Sequence, residues 1–280
     1  MNAIEEIFGK SKAIIAMAHF PPLPGQPLYD ASGGLAKIRE VVSDDVDRLA
    51  AAGADGILFC NEGDRPYRAH AGHETVAVMS SVIQDAARGL RIPFGADVLW
   101  DPQAAIAIAF ATGARFVREV FTGVYSSDFG IWNTDPAGAL RFRRELGASD
   151  LRCFYNITAE FASPLAARPI ELTARSAVFS SLADAICVSG SLTGTAPDID
   201  VVAAVKRAVP DTAVIVNTGV RADTVGKFLN AADAVIVGTA LKRDGVTWNP
   251  VDADRAKSFI AAAAGTGVWS PGPARTPAMV

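Results

Sequence analysis

Two short runs near the carboxyl end of the chain, Ala213-Val214-Ile215-Val216 and Ala234-Val235-Ile236-Val237, contain no polar position at all. A strand with one solvated face alternates apolar and polar residues, so these β-branched runs predict strands covered on both faces. Between them, Val225, Phe228 and Leu229 recur at helical spacing within residues 222–231. Strand, helix and strand make one parallel βαβ unit.

The same alternation runs through the rest of the chain. Apolar runs predict strands at 13–18, 56–60, 92–98, 115–120, 151–157 and 185–188. Helical periodicity predicts helices at 35–52, 73–88, 104–112, 136–146, 170–182, 201–208 and 251–264. No linker or composition break interrupts the series, which predicts an α/β fold, a single (β/α)8 TIM barrel over residues 1–264. Residues 265–280, rich in Gly, Pro and Ala, are expected to form a flexible tail. Residues 121–134 mix Gly, Ser and aromatics and predict a lid loop over a site.

Composition narrows the setting. A chain of 280 residues, half of them apolar, suits one barrel of the usual ~250 residues with a large core. A net charge of −4 offers no electrostatic footprint for nucleic acid or an anionic membrane. Cys60, Cys153 and Cys187 each lie inside an apolar run without a CxxC pair, which points to reduced core thiols in a cytoplasmic protein. No apolar run approaches the ~18 residues of a membrane span, and the amino terminus does not read as a signal peptide. Expected partners are a small phosphorylated substrate and further copies of the chain, since homo-oligomers are common.

In such barrels the chemistry sits at the carboxyl ends of the strands. Those ends carry His19, Asn61 and Glu62, Asp97 and Asp101, Glu119, Asn156, Ser189, Asn217 and Thr239. The tips Asn217-Thr218-Gly219 and Gly238-Thr239 emerge side by side from the last two strands. Glycine lets a ligand approach the backbone, and free N–H groups at a following helix favour an anion. Glycines also simply turn a chain, but two consecutive tips of this kind match the phosphate site of many barrels. Ser189 and Gly190, in a loop of glycines and hydroxyls, extend this phosphate-binding set.

His19 is the expected proton carrier, because an imidazole titrates near neutrality and stands at the start of a site loop. Glu62, Asp97 and Glu119 converge in a barrel. Close carboxylates raise one another's pKa, hold a hard cation such as Mg2+, or pair with Arg65, Arg68, Arg115 or Arg118. No metal site is assigned; His70 and His73 are read as solvent-facing. Lys242 is the one lysine close to a strand end, which disfavours a Schiff-base aldolase.

Four stretches, AMAHFPPLPGQP, FTGVYSSDFGI, ADAICVSGSLTGTAPD and ADAVIVGTALKRDGVTWNPVD, occur in this order. Together they resemble the BtpA/SgcQ family across residues 8–264. The resemblance implies a phosphate-binding (β/α)8 barrel, with His19, Ser189, Gly190, Gly219, Gly238, Thr239 and Lys242 fitting the pattern. Members are named for stabilising photosystem I, for neighbouring sugar-utilisation operons, or as nucleotide-related enzymes. This chain departs from the pattern at Glu160-Phe161, where many members have Lys-His, and at Asp97 and Asp101, where Asn is expected. Trp100 and Trp132 mark a different substrate pocket. The expectation is an isomerase, lyase or hydrolase acting on a small phosphorylated sugar or related metabolite. The rival is a non-enzymatic assembly factor such as a photosystem I biogenesis protein; a third reading is a ligand-binding sensor.

Overall fold

A computed structural model describes residues 1–272. A short helix, α1 (Ala3–Phe8), precedes eight barrel strands: β1 (Ala13–His19), β2 (Gly56–Cys60), β3 (Phe94–Asp97), β4 (Phe116–Glu119), β7 (Arg152–Asn156), β9 (Ala185–Val188), β10 (Ala213–Val216) and β11 (Ala234–Val237). They pair in parallel and close as β1-β11-β10-β9-β7-β4-β3-β2. The outer layer is α2 (Gly34–Ala52), α3 (His73–Ala86), α4 (Pro102–Thr112), α5 (Pro136–Glu145), α6 (Ile170–Ser181), α7 (Ile199–Ala208), α8 (Val225–Ala231) and α9 (Ala253–Gly265). This is the (β/α)8 TIM barrel that the sequence predicts.

The unbroken apolar runs follow from this geometry. Along β10, Ala213 and Ile215 pack inside the barrel, while Val214 and Val216 pack between the strands and the helices. Both faces are dry, so neither position tolerates a polar side chain. Four helices start where an aspartate caps them: Asp101, Asp135, Asp198 and Asp252 each accept a main-chain N–H of the first turn. Asp101 also accepts from Ala71 N at 3.0 Å. That residue therefore builds the scaffold rather than the site.

Helix α1 seals the amino-terminal end. Its Ile4 is fully buried with the inner layer, and Phe8 meets Phe116 at 5.9 Å between ring centroids. At the other end, the expected lid loop is ordered structure instead. Strands β5 (Val124–Ser127) and β6 (Gly130–Asn133) form an antiparallel hairpin, joined by β8 (Ala162–Pro164). The buried Trp132 of β6 packs against Trp100, 4.8 Å between ring centroids, with Phe129 stacked on Trp100. Of the expected tail, residues 273–280 lie outside the described residues. Before them Trp269 is buried, donates Nε1 to Asp55 at 2.7 Å and lies beneath the Lys10 ammonium.

Candidate functional site

A cavity of about 810 Å³ opens at the carboxyl-terminal mouth of the barrel. It is bounded by the ends of β1, β10 and β11, by the loop after β9 and by α9. His19, Glu62, Asn217, Thr218, Gly219, Gly238 and Thr239 all line it. These residues come from distant parts of the sequence, and closure of the barrel brings them together.

The phosphate-binding candidates divide into two groups. Gly219 adopts a left-handed backbone (φ 67°), and a side chain there would strike the main-chain nitrogen of Ala196. The main-chain N–H groups of Gly219 and Val220 have no partner among the described residues. Beside them, a single turn of tight helix over Thr239–Leu241 begins at Gly238. Thr239 Oγ1 lies 2.9 Å from Thr247 Oγ1. Unpaired amides are costly in a dry setting, so this tip is suited to an oxyanion.

Ser189 and Gly190 stand behind that tip, away from the cavity lining. Gly190 N–H donates to Thr218 Oγ1 at 2.7 Å, and Thr218 Oγ1 donates to Thr195 O at 2.7 Å. Ser189 Oγ accepts from Asn217 Nδ2 at 2.8 Å. Their bonds lock the loops after β9 and β10 together.

His19 ends β1, almost wholly buried against Gly238; a Cβ at Gly238 would stand 3.0 Å from His19 Cε1. Burial holds its pKa well below the ordinary imidazole value. Lys242 and Arg118 push in the same direction, and a hydrogen bond with the Thr247 backbone opposes them. His19 is therefore neutral at pH 7, with Nδ1 buried and unpartnered among the described residues.

Glu62, also buried, receives hydrogen bonds at Oε1 from Thr193 (3.2 Å) and Tyr67 (3.4 Å). Burial raises its pKa, Arg118 opposes, and Asp97 and Glu160 add to the rise. Such a carboxyl keeps its proton to a higher pH than an exposed glutamate does.

Asp97 and Glu119 do not line the cavity. Arg118 stands between them and the open space, with Nη2 2.7 Å from Asp97 Oδ2. Glu119 is sealed: Oε2 accepts Val120 N–H at 2.7 Å, and burial beside Asp97 holds its pKa well above the carboxylate range. Among the described residues no three of His, Cys, Asp and Glu are placed to hold a metal. The Mg2+ option for Glu62, Asp97 and Glu119 meets a physical obstacle, because Arg118 already supplies the positive charge there.

Several residues stand at the site beyond the expected catalytic and phosphate-binding set, although the sequence reading names Arg118 as a possible ion-pair partner of the carboxylates and Glu160 as a departure from the family pattern. Arg118 lines the cavity; Phe116 and Arg118 of β4 and Val120 just after it alternate toward the barrel interior, so strand parity marks Arg118 as inward-facing. Glu160 accepts from Asn156 Nδ2 at 2.9 Å and is buried near Arg118, with its pKa raised by burial. Arg221 and Arg255 border the outer part of the cavity. Lys242, by contrast, is no free amine: it is buried against Asp45 at 2.7 Å. His70 and His73 are exposed, as expected.

A family model described as the BtpA family matches residues 10–265. The chain belongs to the BtpA family. Among its relatives, the "Putative sgc region protein SgcQ" of Escherichia coli K12 is 42% identical over 260 residues, covering 93% of this chain and 97% of that protein. The "Photosystem I biogenesis protein BtpA" of Synechocystis is 32% identical over 262 residues, covering 92% and 90%. Among solved structures, phosphoribosyl anthranilate isomerase from Thermus thermophilus superposes with a TM-score of 0.56 at 12% identity, covering 90% of this chain and 98% of that one. That likeness is one of fold. No described helix of this BtpA-family chain is long and apolar enough to cross a membrane.

Proposed function

We propose that this chain is an enzyme acting on a small phosphorylated sugar or related metabolite, as an isomerase, lyase or hydrolase. The observation that carries the reading is one cavity that holds unpartnered amides at Gly219 and Val220, a neutral buried His19 and a Glu62 whose pKa is raised. The amides bind the phosphate. Arg118 in the cavity lining attracts negative charge that develops on the reacting part. Glu62 and His19 move the proton: burial leaves His19 neutral, able to accept one, and favours the protonated form of Glu62. The bound substrate excludes water from the mouth.

The test is a thermal-shift screen of the full chain against sugar phosphates, followed by turnover assays on His19→Ala. A ligand at a hundredfold excess over its Kd adds about 2.7 kcal/mol, a rise of roughly 5–10 °C. His19→Ala should retain binding and lose about 10²–10⁴-fold in kcat. No stabilisation by any phosphorylated compound would end the reading; unchanged turnover in His19→Ala would remove its proton carrier.

A second reading, an assembly factor like the one named in Synechocystis, draws on a different surface. On α6, Leu172 and Phe179, seven residues apart on one helical face, are 51% and 87% exposed, and Leu182, just past the end of the helix, is 62% exposed. That face suits a protein partner or a second copy of the chain.

A further inference from the structure

The cavity does not stop at the phosphate cradle. On one side it touches Met17 and Ile236, which belong to the layer inside the barrel. On the other it touches Val220 and Phe259, which belong to the layer between strands and helices. One continuous space that meets both layers must cross the barrel rim. It crosses at Gly219, Gly238 and Thr239, the cradle itself.

Missing side chains keep that crossing open. A Cβ on Gly238 would crowd both His19 and Met17, the latter at 3.2 Å, and one on Gly194 would face Thr239 Oγ1 at 3.6 Å. Beyond the crossing lies an outer chamber walled by Ala222, Asp223 and the α9 residues Asp254, Arg255 and Ser258, with Phe259 at its base. Its charges balance. Arg221 pairs with Asp223 at 3.1 Å, and Arg255, which donates Nε to Ala240 O, stands next to Asp254 in the first turn of α9. An apolar base with a balanced rim suits an uncharged sugar or heterocycle better than a second anion.

Size argues the same way. Pockets of about 300–1,000 Å³ enclose drug-sized ligands. At about 810 Å³, this one has room for more than a small sugar with a terminal phosphate.

We infer that the phosphate held here is an internal one. The ligand is a phosphodiester or diphosphate-linked metabolite, with its reacting part inside the barrel near His19 and Glu62. Its second substituent lies in the outer chamber against α9. The inference rests on the phosphate cradle proposed above and adds the substrate class to it.

Calorimetric titration of the full chain with ribose 5-phosphate, ADP-ribose and UDP-glucose, repeated on Ser258→Trp, tests this. Ser258 is an exposed helical position, and circular dichroism checks that the variant is folded. At least one internal-phosphate probe should bind tenfold or more tighter than ribose 5-phosphate. Ser258→Trp should abolish that gain and leave the ribose 5-phosphate Kd within twofold. Ribose 5-phosphate binding as tightly as both larger probes, or a gain that survives Ser258→Trp, would overturn the inference and leave the cradle standing. Failure of all three probes to bind would overturn the cradle, and this inference with it.

Discussion

Lys242→Met isolates one contact that joins the architecture to the site. The Lys242 side chain, 2% exposed, reaches Asp45 of α2, 1% exposed, at 2.7 Å. Asp45 Oδ1 also accepts Val251 N–H at 2.8 Å and lies 3.5 Å from Arg48, which is partly exposed. Methionine keeps the apolar stem and removes the ammonium, leaving Asp45 as a buried charge with one distant cation. Breaking a buried pair from one side costs about 3–5 kcal/mol, and the remaining Arg48 places this case near 3 kcal/mol. At roughly 2–4 °C per kcal/mol, Tm should fall by roughly 6–12 °C.

Calorimetry or urea denaturation measures the loss, and Lys242→Met/Asp45→Asn supplies the control. Asparagine still accepts the Val251 N–H but carries no charge, so the double variant should regain more than half of the loss. A cost below about 1 kcal/mol for Lys242→Met, or a double variant less stable than the single one, would refute the stranded-charge argument. Lys242 is also one of two cations that depress the His19 pKa, so Lys242→Met should raise it.

Three further outcomes are expected. The His19 imidazole should show no titration by NMR between pH 6 and 8, and a midpoint at or above the ordinary 6.5 would contradict its burial beside two cations. Gly219→Ala forces a side chain onto a left-handed backbone and into Ala196; it should lower Tm and abolish stabilisation by phosphorylated ligands, and retention of both would remove Gly219 from the cradle. Asp64, which anchors Leu23 N–H at 2.8 Å, has its pKa raised by burial from 3.8 to about 6. A carboxyl harder to ionise in the folded state favours folding below about pH 4, and that advantage is lost as pH rises through about 6. Relative to Asp64→Asn, wild type should therefore lose roughly 2 kcal/mol between pH 4 and 7, and a flat difference would refute the assignment.

The barrel was legible because its strands are dry on both faces. Runs such as 213–216 and 234–237 leave no other strand reading, and aspartates such as Asp101 and Asp252 punctuate the helices. The β5–β6–β8 sheet was not. Its strands are three or four residues long, and β8 is brought to β5 from 35 residues or more along the chain by an antiparallel pairing that no local pattern announces. The carboxylates at the strand ends were legible as residues, but not in their division of labour. Glu62 faces the cavity, whereas Asp97 is turned to Arg118 and Glu119 is sealed against Val120 N–H. Trp269 illustrates a further limit, since one indole N–H on Asp55 fixes a segment whose composition reads as loose.

The most direct measurement is an anomalous difference map from a crystal of the full chain soaked in selenate, a heavy mimic of phosphate. The account predicts a peak within hydrogen-bonding distance of the main-chain N–H groups of Gly219 and Val220, beside Thr239 and at the crossing between the two chambers. Selenate bound only to exposed arginines and lysines, with those amides turned to water or to the chain itself, would contradict it.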